Sequence, residues 1–412
     1  MSRIADINLK DEGHQRIEWV AQHMPVLNAI GDRFEKEKPF AGLKIALSIH
    51  LEAKTAWLVK TLARGGAEMH VSGSNAFSTQ DCVCAALVDD GITVNAIHGS
   101  DPELTVELWK ETVSCHPDIV IDDGSDLINL LLHECKEYAD RCMGGCEETT
   151  SGVQRLYGWE RGGELAFPCM AVNDACCKHY FDNTYGTGQS VWDAIMRTTN
   201  LQMNGKTVVV AGYGYCGKGI AAIARGLNAQ VIVTEVDPIK SILAVMDGYR
   251  AMSMNEAAKL GDVFITATSC CDVIRPEHFA VMKDGAIVAN AGHFNIEIDV
   301  EGLEKMAVSR KEMRKNLYGY RMPDGRLICT MADAAIVNIA AADGHPVEIM
   351  DMSFAMQAIA AEYILKNHKN LENKVYNIPD EQDRYVAELK LKSFGGSFDT
   401  LNEKQKAYLA GH

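Results

Sequence analysis

Thr207-Val208-Val209-Val210-Ala211-Gly212-Tyr213-Gly214-Tyr215-Cys216-Gly217 decides how the second half of the chain folds. Five apolar or β-branched residues form a short buried strand, and glycines follow at the positions G-x-G-x-x-G. Gly212 permits a tight turn and Gly214 lets the backbone approach a pyrophosphate. Gly217 lets the next helix pack on the strand with its N-terminus facing the phosphates. A helix over residues 220–227 and a strand over 230–234 come next, and Glu235 ends that strand, 21 residues past Gly214. A carboxylate there accepts both ribose hydroxyls and repels a 2′-phosphate, so the pattern points to NAD rather than NADP. Lys240, five residues on, is a nearby cation that softens that bias. A lone G-x-G-x-x-G is a weak signal, and a glycine-rich turn without cofactor is its bland reading. Strand, glycines, helix, second strand and acid in register are much more specific.

The same β–α alternation extends outward. Downstream, strands read at 263–268 and 286–289. Upstream, they read at 44–50, 68–72, 93–97 and 118–121, with helices at 52–63 and 102–113. Ser78-Thr79-Gln80-Asp81 has the form of a helix start, with Ser78 as its cap. Residues 10–36 read as one amphipathic helix that Pro25 kinks or splits. Repeated β–α order means parallel sheets with helices on both faces. The fold class is therefore α/β, with two doubly wound halves joined around 184–205 and Gly186 and Gly188 as candidate hinge points. An amphipathic helix spans 353–366. The last 35 residues are polar with a helical pattern and read as an appendage.

A chain of 412 residues suits two or three domains. Its net charge of −16 disfavours nonspecific binding to nucleic acid or anionic membrane. The 13 cysteines include no C-x-x-C pair and no zinc-like spacing, so reduced thiols in the cytoplasm and no metal are expected. The N-terminus lacks an apolar h-region, and no stretch approaches a membrane span.

Several polar clusters need a reason. Asp122-Asp123-Gly124-Ser125-Asp126 follows a strand, where ligands bind in an open α/β sheet, or else it is an acidic turn. His50 ends another strand, as a site residue or a structural one. Glu147-Glu148-Thr149-Thr150-Ser151 is dense in functional groups. Lys178 and Asp182 share a helix face at i, i+4, as a surface ion pair or as a coupled base. His293 ends a strand of the second half, at the cofactor's edge of the same cleft. His345 marks the turn where the chain leaves that half.

GYGYCGKG, TEVDPI, GHFNIEID, FSTQD, DDGSDL, EETTSGV, KHYFDN-YG and VNIAAADGHP together resemble the S-adenosylhomocysteine hydrolase family, in order and spacing, from about residue 40 to 410. The resemblance implies a substrate domain (1–186 and 346–376), a Rossmann NAD domain (187–345), a small helical C-terminal extension (377–412) and a homotetramer. It implies that a nucleoside–homocysteine thioether is cleaved by oxidation of the ribose 3′-hydroxyl, loss of the acidified 4′ proton with departure of homocysteine, addition of water and re-reduction. Lys178 and Asp182 would then help deprotonate the 3′-hydroxyl, and Asp123 would handle the 4′ proton. His50 would protonate the sulfur, Glu148 would bind ribose hydroxyls, and His293 would orient near the 3′ position. Glu52, Lys54, Thr55 and His345 would bind substrate. Thr149, Thr150, Ser151, Asn183, Asn290, Gly292, His293, Asn338 and His345 would line the NAD side with Gly212, Gly214, Gly217, Glu235 and Lys240.

The chain departs from a familiar form of the family in three places. That form has Thr and Glu shortly after the histidine, where this chain has Glu52 and Lys54. A lysine can only donate, so if Lys54 points at the base it favours a carbonyl, as in hypoxanthine; alternatively Glu52 serves the amine of adenine, or Lys54 pairs with Glu52. The expected substrate is S-adenosyl-L-homocysteine, with S-inosyl-L-homocysteine as the alternative. The Lys- and Tyr-containing C-terminal tail that reaches a neighbour's NAD in many members is missing, and Thr187 replaces a common cysteine. Two other classes compete: a catalytically silent regulatory paralogue, and an ordinary dehydrogenase that releases NADH.

Overall fold

The computed structural model describes residues 2–411. The first sheet is built from β1 (Lys44–Ile49), β2 (Glu68–Gly73), β3 (Thr93–Asn95), β4 (Ile119–Asp122), β5 (Gly144–Glu147) and β6 (Cys169–Ala171). The second takes β7 (Thr207–Ala211), β8 (Gln230–Thr234), β9 (Arg250–Ala251), β10 (Val263–Thr266), β11 (Ala286–Asn290), β12 (Ser309–Arg314), β13 (Leu317–Arg321) and β14 (Leu327–Met331). The chain then returns, and β15 (Val375–Asn377) joins the first sheet. The first sheet runs β15-β6-β5-β4-β1-β2-β3 and is parallel throughout, and the second runs β12-β13-β14-β11-β10-β7-β8-β9. The second order turns back at β14 where its antiparallel strands begin, and the first order reverses between β1 and β4 as the second does between β7 and β10. Ligands of doubly wound sheets bind in the crevice at such reversals.

The doubly wound reading holds, with one addition. β12 and β13 extend the second sheet antiparallel. β12 is exposed at every residue and reads Ser-Arg-Lys-Glu-Met-Arg, with no alternating apolar face to mark it as a strand. Its charges blunt the sheet edge against pairing with another chain. The helix expected over 10–36 is two helices, Lys10–Gln22 and Pro25–Glu37. Pro25 opens the second, where its missing N–H would have had no partner. Ser78 is not a helix cap: the helix starts at Asp81, behind Gln80, and Ser78 turns toward His50 instead.

The C-terminal segment is less of an appendage than its polarity suggests. The helix Val347–Asn367 is buried along most of its length against the first sheet's helices. Its Asp351 carboxylate accepts the N–H groups of Val26 and Leu27 and pairs with Lys390 Nζ at 2.9 Å. Lys390 belongs to the helix Asp380–Ser393, which that buried ion pair and Val386 fix to the first unit. A lysine looks like surface in a sequence, but here its charge is neutralised inside. Only residues 392–411 are exposed throughout.

Candidate active site

Strand register assembles one wall of the cleft. Ser48 of β1 lies opposite Asp122 of β4, and Asp122 opposite Glu147 of β5. Asp123 and Glu148 are the next residues of their strands, and His50 lies two past Ser48, so all three stand at the carboxyl edge. In the second sheet Ala211, Thr266 and Asn290 are in register, so Gly212, Ala267 and Ala291 form the opposing row. A cavity of about 200 Å³ lies between the rows. It is lined by His50, Glu52, Lys54, Thr55, Asp123, Glu148, Thr149, Thr150, Ser151, Lys178, Asp182, Asn183, Gly292, His293, Asn338 and His345. These were singled out in the sequence, unlike Asn173, Ser269 and Ile336, which also line the cavity.

Lys178 sits at the centre, buried. Its Nζ donates to Asn183 Oδ1 (2.9 Å) and faces Asp182 Oδ1 (3.4 Å) and Glu148 Oε1 (3.7 Å). Burial disfavours its charge, but the two carboxylates outweigh burial, so Lys178 is an ammonium with a pKa above its usual value. Burial likewise pushes Asp182 up, yet Lys178, His345 and the Ser353 hydroxyl hold it well below the usual carboxylate range. Glu148 has less help, and burial raises it to about 8. Its Oε2 accepts from Gln357, whereas its Oε1 is buried with no hydrogen-bond partner.

His50 Nδ1 lies 2.7 Å from Ser78 Oγ, and that hydroxyl donates to the Asn75 carbonyl. Ser78 must then accept from His50, which puts the neutral ring's proton on Nδ1 and a lone pair on Nε2. Nε2 faces Asp123 Oδ2 at 3.5 Å, and Asp123 Oδ1 is buried without a partner. His293 approaches from the second sheet, with ring centroids 6.3 Å apart. The nitrogen and oxygen atoms of these three residues converge within 4.8 Å, a ligand set that suits zinc as well as a shared proton.

Burial depresses the His50 pKa to about 4, against the pull of Asp123. The unfolded chain, whose histidine titrates near its ordinary value, binds the extra proton first. Stability contributed by neutral His50 is therefore complete above about pH 6.5 and is lost as the pH falls toward about 4. His50→Asn should reduce the loss between about pH 8 and about pH 5 by about 2 kcal/mol. Denaturant melts of both proteins at about pH 5 and about pH 8 read it, and parallel losses in the two would refute the assignment.

The cofactor side fits NAD on its own geometry. Gly212 has φ +93°, and a Cβ there would lie 2.5 Å from the Ala267 carbonyl. A Cβ on Gly217 would lie 1.9 Å from the Gly212 carbonyl, whereas one on Gly214 would meet nothing within 4 Å. The first and third glycines thus serve packing, and the second faces the open space a pyrophosphate needs. Glu235 accepts N–H groups of Tyr213, Val236 and Asp237, which aims its carboxylate across the end of β8 with acceptor capacity left over.

At the far end of the cavity, Glu52 caps the helix Ala53–Arg64 by accepting the Lys54 N–H. Lys54 Nζ lies 3.0 Å from Glu52 Oε2 and donates to the Asp343 carbonyl at 2.9 Å. A buried donor and a half-buried acceptor therefore stand side by side there. Thr55 directs its hydroxyl to the His50 carbonyl.

A family model for S-adenosyl-L-homocysteine hydrolase matches residues 1–143, and one for the NAD binding domain of S-adenosyl-L-homocysteine hydrolase matches residues 183–344. The S-inosyl-L-homocysteine hydrolase of Methanocaldococcus jannaschii is 54% identical over 409 residues, covering 99% of this chain and 98% of its own length. The adenosylhomocysteinase of Aquifex aeolicus is also 54% identical, over 408 residues and the same shares. The chain belongs to the S-adenosyl-L-homocysteine hydrolase family. Equal identity to relatives with two different names leaves the base to be argued from the site.

In this family member not every residue marked in the sequence reaches the cavity. Asn290 lies beneath it, its amide donating to the Gly292, Phe294 and Ala334 carbonyls, so it shapes the loop bearing His293. Lys240 is exposed on the helix Pro238–Met246, and the Glu235 carboxylate takes its donors from backbone. Gly212, Gly214, Gly217 and Glu235 form the outer, cofactor-facing edge. Asn173, Asp343, Ser353 and Gln357 carry site contacts that sequence reasoning missed, and Ser78 and Glu147 were marked there without the contacts they make. Ser353 and Gln357 had a readable signal: polar residues four apart on one face of an otherwise apolar helix.

Proposed function

We propose that this protein hydrolyses the thioether of S-adenosyl-L-homocysteine to adenosine and L-homocysteine, reversibly. Residues 1–186 and 346–376 would hold the nucleoside, 187–345 the cofactor, and 377–412 the extension. One observation carries the reading. Two buried, unpartnered carboxylate oxygens, Asp123 Oδ1 and Glu148 Oε1, and the Lys178 ammonium face one cleft between a nucleoside-sized pocket and a dinucleotide turn.

When bound, NAD supplies the hydride acceptor that makes the ribose 3′-hydroxyl a transient ketone. Lys178 Nζ donates to the 3′-oxygen as negative charge grows there, and it takes the hydroxyl's proton after passing its own to Glu148, the more basic of the two carboxylates. Glu148 Oε1 accepts from a ribose hydroxyl. Asp123 takes the 4′ proton, acidified by the neighbouring ketone. The lone pair of His50 Nε2, 3.5 Å from Asp123, receives that proton and delivers it to the departing sulfur. Closure of the two units around the cleft excludes water from the reactive ketone.

A second reading keeps this chemistry with S-inosyl-L-homocysteine as substrate, and the Lys54 donor taken without Glu52 favours it. Thiol release by the NAD-loaded protein tests both, with the two substrates side by side. Release from the adenosyl compound at equal or greater efficiency supports the first reading, and a strong inosyl preference the second. No thiol from either, with NAD confirmed bound, sinks both.

A homotetramer in the cytoplasm completes the proposal. Ile239, Ile242, Val245 and Met246 expose apolar surface on one helix, and Phe394, Phe398, Tyr408 and Leu409 do so near the C-terminus. Two such faces on one chain suit contacts between copies, and sedimentation measures the assembly. All 13 cysteines are free thiols, as a reducing compartment keeps them. Among the described residues no helix is long and apolar enough to cross a membrane.

A further inference from the structure

Glu147 ends β5 and is fully buried, yet it does not line the cavity. A buried carboxylate is costly unless its lone pairs are filled. Here four donors fill them: the Gly124 N–H at 2.9 Å, Ser125 Oγ at 2.7 Å, the Thr149 N–H at 2.9 Å and Thr149 Oγ1 at 2.7 Å. The first two belong to the turn that follows Asp123, and the last two to the turn that follows Glu148. The first turn needs holding, because Gly124 has φ +104° and Ser125, which has a side chain, has φ +61°. The surroundings also keep room for the carboxylate. A Cβ on Gly152 would lie 2.1 Å from Glu147 Cδ. By contrast, Asp123 Oδ1 has no partner, and Oδ2 has only Ser74 Oγ at 3.0 Å and His50 at 3.5 Å. Little in its own contacts fixes the direction of that side chain, so its backbone must.

We infer that Glu147 is the positioning residue that locks the Asp123 turn to the Thr149 turn and thereby aims the Asp123 carboxylate at the substrate's 4′ carbon. The inference rests on the proposed function for the role of Asp123. It separates two steps of one reaction. Oxidation at the 3′ position depends on Lys178 and the cofactor, whereas proton removal at the 4′ position depends on the Asp123 turn.

The test is Glu147→Gln in the NAD-loaded protein, mixed with adenosine or inosine. Nicotinamide absorbance reads the first step. Solvent deuterium exchange at the 4′ position, followed by NMR, reads the second. NAD should stay bound, and the absorbance change should keep its rate within about threefold. Exchange should slow by about 10- to 100-fold, the cost of an ångström-scale misplacement. Unchanged exchange, or an equal slowing of both steps, overturns the inference. If Glu147→Gln does not fold, Ser125→Ala removes one of the four bonds, and a selective slowing of exchange by about threefold or more decides in its place. Equal slowing of both steps in that variant overturns the inference too. If the unsubstituted protein gives no absorbance change with either nucleoside, the proposed function fails first and takes this inference with it.

Discussion

Lys178→Met is expected to retain NAD and to lower the rate of 3′ oxidation by about 10²- to 10⁴-fold, the range of a lost general acid–base group. Among the described residues the ammonium is the only cation facing Asp182 and Glu148, at 3.4 and 3.7 Å, apart from what His345 supplies at 3.2 Å from Asp182 when protonated. Its removal deprives the growing 3′-oxyanion of its donor and leaves two acids buried side by side. One of them must then take up a proton to remain buried, and Glu148, already raised to about 8, is the one that does. The fold should therefore survive, at a cost of about 3 kcal/mol or less, below the usual penalty for breaking a buried pair. Arginine should not rescue the step, because its planar fork cannot occupy the compact space among Asn183, Asp182 and Glu148. Stopped-flow nicotinamide absorbance on mixing with nucleoside, at matched NAD content, measures the rate. A methionine variant within about tenfold of the parent would remove Lys178 from the proton path.

What the sequence revealed and what it hid follow one division. Features written locally were legible. The glycines at 212, 214 and 217 and the acid at 235 are a spacing, and the strands that flank them are runs of Val, Ile and Ala. Lys178 and Asp182 meet because four residues of helix separate them. Contacts written only in the register of strands, or between distant segments, were not legible. Glu147 and Glu148 are adjacent acids of the same kind, but β5 alternation sends one under the sheet edge and the other into the cavity. Ser78 resembled a helix cap because Ser three residues before Asp is the usual signature. The loop from Asn75 instead delivers it to His50. Lys390 looked like surface because its partner, Asp351, is 39 residues away. Strand β12 carries no apolar alternation at all, so nothing local announces it.

Lys54→Glu is expected to raise the ratio of adenosyl to inosyl turnover, as kcat/KM, by about 10²-fold. Hypoxanthine offers an oxygen acceptor at position 6 and a donor at N1. Adenine offers a donor at position 6 and an acceptor at N1. The pair Glu52 and Lys54 presents one acceptor and one donor 3.0 Å apart, so either base can satisfy both groups, with the two contacts exchanged. A carboxylate at position 54 changes this. It accepts from the 6-amino group, as Lys54 cannot, but it meets the 6-oxo group lone pair to lone pair, and a buried mismatch of that kind costs about 1–3 kcal/mol. The substitution also leaves the Asp343 carbonyl without its donor and sets two acids together at 52 and 54. Both effects lower absolute rates for either substrate, and so the ratio is the quantity to read. Glu52→Thr combined with Lys54→Glu removes the like charges and should show the same ratio change at higher rates. An unchanged ratio in both variants would mean that Lys54 does not touch the base. Its bond to the Asp343 carbonyl would then be its whole role, a tie between the helix Ala53–Arg64 and the loop that leads back from the cofactor unit.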